Sequence, residues 1–102
     1  VGDWTSLGPV AGRAELDAVV VEGLEIAVAR LDDGSWAAFD NVCTHEECPL
    51  AEGDLDGDRI ICYCHSSAFD VRTGEVLDGP AEEPLRVYET RVERGELELR
   101  LG

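Results

Sequence analysis

Both histidines of this 102-residue chain stand next to cysteines. Cys43-Thr44-His45 makes one pair and, after the sixteen residues 46–61, Cys62-Tyr63-Cys64-His65 supplies the other. Half of the four cysteines and all of the imidazoles are thus delivered at the two ends of one excursion. Thiolates are soft charged donors and imidazoles neutral borderline ones, so four of them converging point to a metal site. A fold for this chain must bring two separate loops to one place.

The totals limit how that is done. A chain of 102 residues supports one core, so a single domain over 1–102 is expected. Hydrophobic residues at 44% against 30% charged exclude a disordered chain. Eight basic against 23 acidic residues leave a net charge of −15. Nucleic acid and anionic membranes repel such a surface, whereas a basic protein partner is favoured. No apolar run approaches the roughly 20 residues of a membrane span, and no basic-then-apolar signal opens the chain. A soluble, cytoplasmic and monomeric protein is expected.

The local pattern is β throughout. Residues 3–7 predict a short strand ended by Gly8-Pro9. Leu16 to Val21, with three consecutive valines, predicts a second, turned by Glu22-Gly23 into a third over Leu24 to Leu31. Asp32-Asp33-Gly34 is a hairpin signal leading into Ser35 to Asp40. Gly53, Gly57 and the acids from Glu47 to Asp58 oppose a helix within the excursion, a short one near Leu50 to Gly53 excepted. Arg59 to Cys62 and Ala68 to Val71 read as strands, with a turn at 72–75, and Gly79-Pro80 falls in a loop closed by Pro84. At the end, Leu97, Leu99 and Leu101 alternate with Glu96, Glu98 and Arg100, a period of two with one buried face. Arg94-Gly95 joins that strand to Leu85–Val92. The expected fold is all-β, a small domain of antiparallel sheets with both Cys/His loops at one tip.

Three occupants of the four donors compete. A Cys₂His₂ zinc finger orders a cysteine pair before a histidine pair, whereas here each pair is mixed and the first is separated by one residue. Core histidines with buried thiols or disulfides are the second option. The third is a [2Fe–2S] cluster in which two histidines replace two cysteines on one iron.

Cys43-x-His45-x₁₆-Cys62-x₂-His65 resembles the Rieske signature. The run from Cys62 to Glu75, and on to Gly79-Pro80, is similar to soluble Rieske ferredoxins, as are the short strands before it. The resemblance implies one [2Fe–2S] cluster per chain, with Cys43 and Cys62 on the inner iron and His45 and His65 on the outer, solvent-facing one. It places Pro80 in a loop covering the cluster. Cys48 and Cys64 match the cysteine pair that bridges the two cluster loops in the cytochrome bc and b6f branch, which implies a Cys48–Cys64 disulfide. Ser66 stands where glycine is usual after the second ligand histidine, and Glu46-Glu47 where the bc branch carries a small apolar step. Ser67 matches a serine whose hydroxyl bonds a cluster sulfur, whereas Phe69 occupies the position of a tyrosine that bonds a ligand cysteine. The missing hydroxyl and the acidic surroundings disfavour adding an electron. A midpoint in the lower half of the Rieske range of roughly −150 to +300 mV is expected.

With both histidines assigned to the cluster, none remains for a mononuclear iron oxygenase site, and no glycine-rich dinucleotide fingerprint is present. The chain is therefore expected to be a carrier rather than an enzyme. The resemblance implies the ferredoxin of a ring-hydroxylating oxygenase, taking electrons from an NAD(P)H-dependent flavin reductase (a ferredoxin reductase) and passing them to the terminal oxygenase. The alternatives are the trimmed head of a cytochrome bc-type complex and the small Rieske-like subunit of a nitrite reductase. Asp40, Glu46, Glu47, Glu52, Asp54, Asp56 and Asp58 have no base among them, so a strongly negative face near the cluster is expected, either solvated or steering a partner.

Overall fold

Ile26-Ala27-Val28-Ala29 carries no polar alternation, and all four residues are fully buried. A strand covered on both faces has to be apolar on both. In the computed structural model, which describes residues 4–43, 48–64, 66–79 and 81–101, that strand lies inside a two-sheet architecture.

The strands are β1 (Trp4–Pro9), β2 (Leu16–Val21), β3 (Leu24–Arg30), β4 (Trp36–Asp40), β5 (Asp54–Asp56), β6 (Arg59–Ile61), β7 (Ala68–Asp70), β8 (Val76–Asp78), β9 (Val87–Glu93) and β10 (Glu96–Arg100). Six form one antiparallel sheet in the order β1-β10-β9-β4-β3-β2, and four form a second, β5-β6-β7-β8. One short 3₁₀ turn, Leu50–Glu52, interrupts the described strands.

The larger sheet has two inner faces. On one, Val21, Ile26, Val28, Ala38, Tyr88, Leu97 and Leu99 pack together as the sheet curls on itself. On the other, Ala27, Ala29, Leu31, Ala37 and Phe39 meet Ile60, Phe69 and Val71 of the smaller sheet. Arg13 ties the two edge strands: Nη2 donates to the Leu7 carbonyl at 2.6 Å and Nη1 lies 3.9 Å from Asp17.

Turn chemistry sets the registers. Glu22-Gly23 and Arg94-Gly95 both have positive φ at each residue, the conformation of tight two-residue hairpins. Expectation and structure agree on Leu16–Val21 and on the alternation of β10, where Leu97 and Leu99 are wholly buried. Three differences have physical reasons. The first strand does not end at Gly8-Pro9 but runs through it, because Gly8 at φ +96° takes up an irregularity between Ser6 and Pro9; its expected first residue, Asp3, lies outside the described residues. Strands β5 and β8 had no sequence signal. Each is three residues long, and each exists because β6 or β7 offers it an open edge.

Candidate metal centre

Strands β4 and β6 run toward the same end of the molecule and release Cys43 and Cys62 there. Both side chains are 1% exposed, both are reduced, and both belong to the buried cluster that joins the two sheets.

The first loop is pinched at its base. Val42 bridges Pro49, and the Cys43 amide donates to the Cys48 carbonyl at 2.9 Å. Asn41, buried beneath it, accepts from the Ala51 amide at Oδ1 (2.8 Å) and from the Leu50 amide at its carbonyl (2.6 Å). That residue anchors the 3₁₀ turn under the loop, a role no sequence signal announces. At the second loop the Ser66 amide donates to the Cys62 carbonyl (2.9 Å), and the Cys62 amide to the Ser67 carbonyl (2.8 Å). Ser66 has φ +61°, the left-handed region where glycine costs least. Gly53 lets the loops approach, since a Cβ there would land on the Ile61 carbonyl oxygen.

A disulfide between Cys48 and Cys64, Cα atoms 6.6 Å apart, ties one loop to the other. The sulfurs of Cys48, Cys62 and Cys64 lie within 4.8 Å of one another. Two of those three are consumed by the disulfide, so the thiols left to hold metal among the described residues are Cys62 and Cys43. Two buried soft donors are the sulfur half of the ligand set that an iron–sulfur centre with mixed ligation requires, and the residues present fit that group. His45, His65 and Pro80 lie outside the described residues.

Ser67 is fully buried, and its Oγ accepts from the Ala81 amide at 3.0 Å. Accepting there leaves the hydroxyl proton to be donated elsewhere. Phe69 is fully buried in the same apolar cluster and offers no polar atom.

The acidic run is not uniformly bare. Asp56 pairs with Arg59 at 3.1 Å, and Asp58 with Arg72 at 2.8 Å; Arg72 also reaches Asp33 at 3.1 Å. These arginines enter from outside the run, at the end of the sheets remote from the cysteines. Asp33 is held down to about 2, first by its hydrogen bonds from Ser35 and then by Arg72. Asp40 accepts from the Tyr88 hydroxyl at 2.5 Å, while Glu46 and Glu47 lie outside the described residues. Among the described residues of the run, Glu52 and Asp54, on the side nearest the cysteines, are exposed and pair with no arginine.

No helix among the described residues is long and apolar enough to cross a membrane. The family model described as "Rieske [2Fe-2S] domain" matches residues 6–89. The chain is 37% identical over 75 residues to the naphthalene 1,2-dioxygenase system ferredoxin component of Pseudomonas putida, covering 74% of this chain and 71% of that one. It is 34% identical to the anthranilate 1,2-dioxygenase ferredoxin subunit of Burkholderia cepacia, over 100% of this chain and 95% of the relative. Among solved structures, one chain in a complex of reduced oxygenase and oxidized ferredoxin of carbazole 1,9a-dioxygenase superposes with a TM-score of 0.87. That chain is 33% identical, and the match covers 94% of this chain and all of that one.

Proposed function

The chain belongs to the Rieske [2Fe–2S] family, and from that membership we propose that it is the ferredoxin of a ring-hydroxylating oxygenase system. It is an electron carrier, not a catalyst. Residues 1–102 act as one Rieske domain in the cytoplasm, receiving electrons from a flavoprotein reductase and delivering them to a terminal oxygenase. Relatives that are ferredoxin components of dioxygenase systems, and one solved with its oxygenase, support this reading.

Cys43 and Cys62 would hold the inner iron, and His45 and His65 the outer one. Bound there, the cluster supplies a reversible one-electron couple. The chain's own groups tune and shield it. Burial of both cysteines, each 1% exposed, keeps water from the sulfur side. Ser67, its oxygen engaged by Ala81, has a proton to offer toward a sulfur, which favours the reduced state. Phe69 gives no such bond, and the acids around the loops oppose added negative charge. The midpoint therefore lies in the lower half of the family range.

The observation that carries the proposal is the delivery of two buried, reduced cysteines to one end of the fold by β4 and β6. Anaerobic reductive titration tests it. One electron per chain, with bleaching of the visible bands, is expected; uptake of two electrons, or none, contradicts it. The Cys48–Cys64 bridge favours the bc-type head as a second reading, because that branch carries the pair. The Phe69 position and the match to dioxygenase ferredoxins along the whole chain favour the first.

A further inference from the structure

Six large apolar side chains are exposed among the described residues: Val20, Leu24, Val42, Tyr63, Leu77 and Val92. Strand register places five of them at one end. Ile26 pairs with Asp40, and the Asn41 amide donates to the Glu25 carbonyl, so the β2–β3 turn stands beside the strand end that releases Cys43. Val20, opposite Glu25, is therefore level with Asn41. Val42 directly precedes Cys43. Tyr63 sits between Cys62 and Cys64, and the disulfide holds it to the loop that Val42 bridges. Leu77 precedes Asp78, the partner of Ala68, just beyond Ser67. Val92 alone lies on the remote part of β9.

Charge leans the same way, although exposed Arg86 stands beside Asp40 at this end. Glu22, Glu25, Glu52, Asp54, Asp78 and Glu82 surround this end, all exposed, and none pairs with an arginine among the described residues. At the opposite end several acids pair with Arg59, Arg72 and Arg91, while Asp32 and Glu75 there pair with none of them. Val20 also points the right way. Alternation puts it with Leu16, on the face of β2 that turns toward the smaller sheet and the 3₁₀ turn, yet it is 70% exposed. An apolar residue left that open, in line with other exposed apolar groups and ringed by unpaired carboxylates, marks a contact surface.

We infer that the docking surface extends beyond the two cysteine loops onto the β2–β3 turn, and that its occupant is a redox protein whose apolar patch is fringed by lysine and arginine. This rests on the electron-carrier reading. Tyr63 is the central aromatic anchor. Val20 widens the apolar floor, and Glu22 and Glu25 guide the partner's cations.

The probe is ferricytochrome c, a basic protein, reduced by the dithionite-reduced holoprotein in a stopped-flow instrument at low salt. Two double variants carry the same charge change: Glu22→Arg with Glu25→Arg at the turn, and Glu93→Arg with Glu96→Arg at the remote end of β9 and β10. The turn variant is expected to lower the second-order rate about fivefold or more, the remote variant less than about twofold. Val20→Ser is expected to lower the rate further than Val92→Ser. Midpoint potentials and visible spectra should match wild type in all four, which separates docking from damage to the centre. Equal slowing by both double variants would show that net charge alone acts and would overturn the inference, as would a wild-type rate in the turn variant. A wild-type protein that takes up dithionite electrons but fails to pass them on would instead overturn the carrier reading.

Discussion

Ser67 is the residue to which the proposed tuning of the centre is assigned. Its oxygen is occupied by the Ala81 amide, and its burial is complete, so removing the hydroxyl deletes a donor that water cannot replace. Ser67→Ala should lower the midpoint by roughly 60 mV, the one-electron equivalent of a tenfold change in equilibrium. Protein-film voltammetry checks it; an unchanged potential would reduce Ser67 to an anchor for Ala81. Ser66 holds φ +61° with a side chain attached, which costs an L-residue roughly 1–2 kcal/mol. Ser66→Gly should therefore raise the temperature at which visible colour is lost, with the potential little moved. The departure from glycine at this position is readable in the sequence; only the backbone angle shows that it is strained.

At the scale of elements, legibility follows the source of each signal. The β2–β3 and β9–β10 hairpins could be read because their strands alternate or branch and their turns are built on glycine. Strands β5 and β8 could not, since Asp-Leu-Asp and Val-Leu-Asp owe their extended form to a neighbour's edge rather than to their own side chains. The site divides likewise. Cysteines and histidines announce a centre by type and spacing, whereas its supports are an Asn41 carbonyl, an Ala81 amide and the bare α-carbon of Gly53, which have no residue signature. The acidic run was legible only in part for a related reason. A window of sequence cannot reveal that Arg59 and Arg72 fold back onto Asp56 and Asp58.

Strand β9 is joined to β4 by a second link, the Tyr88 hydroxyl on Asp40. Burial first, and then this bond to a carboxylate, pushes the phenol from 10.0 up to about 12. A folded value above the unfolded one means that the contribution is complete below about pH 10 and is lost as pH rises toward 12. Alkaline denaturation should steepen in that window, and Tyr88→Phe should flatten it. An identical profile for the variant would remove Tyr88 from the account.

Taken whole, the molecule is a lopsided charge carrier. Several of its acids pair with arginine at the end away from the cysteines, whereas the described acids around the cysteines pair with none, within a net charge of −15. Electron delivery to a basic partner should slow as salt rises from 0.01 to 0.1 M, where the screening length shrinks from about 30 Å to about 10 Å. Steering acts on encounter and not on the centre, so the midpoint should move little over the same range. Salt-independent transfer would remove electrostatics from recognition.

All of this presupposes mixed ligation of a two-iron centre, half by Cys43 and Cys62 and half by His45 and His65. Electron paramagnetic resonance of the dithionite-reduced protein addresses that most directly. A rhombic signal is expected, with an average g below that of clusters held by cysteine alone. Colourless, silent material carrying a single zinc, or a signal of all-cysteine type, would contradict mixed ligation.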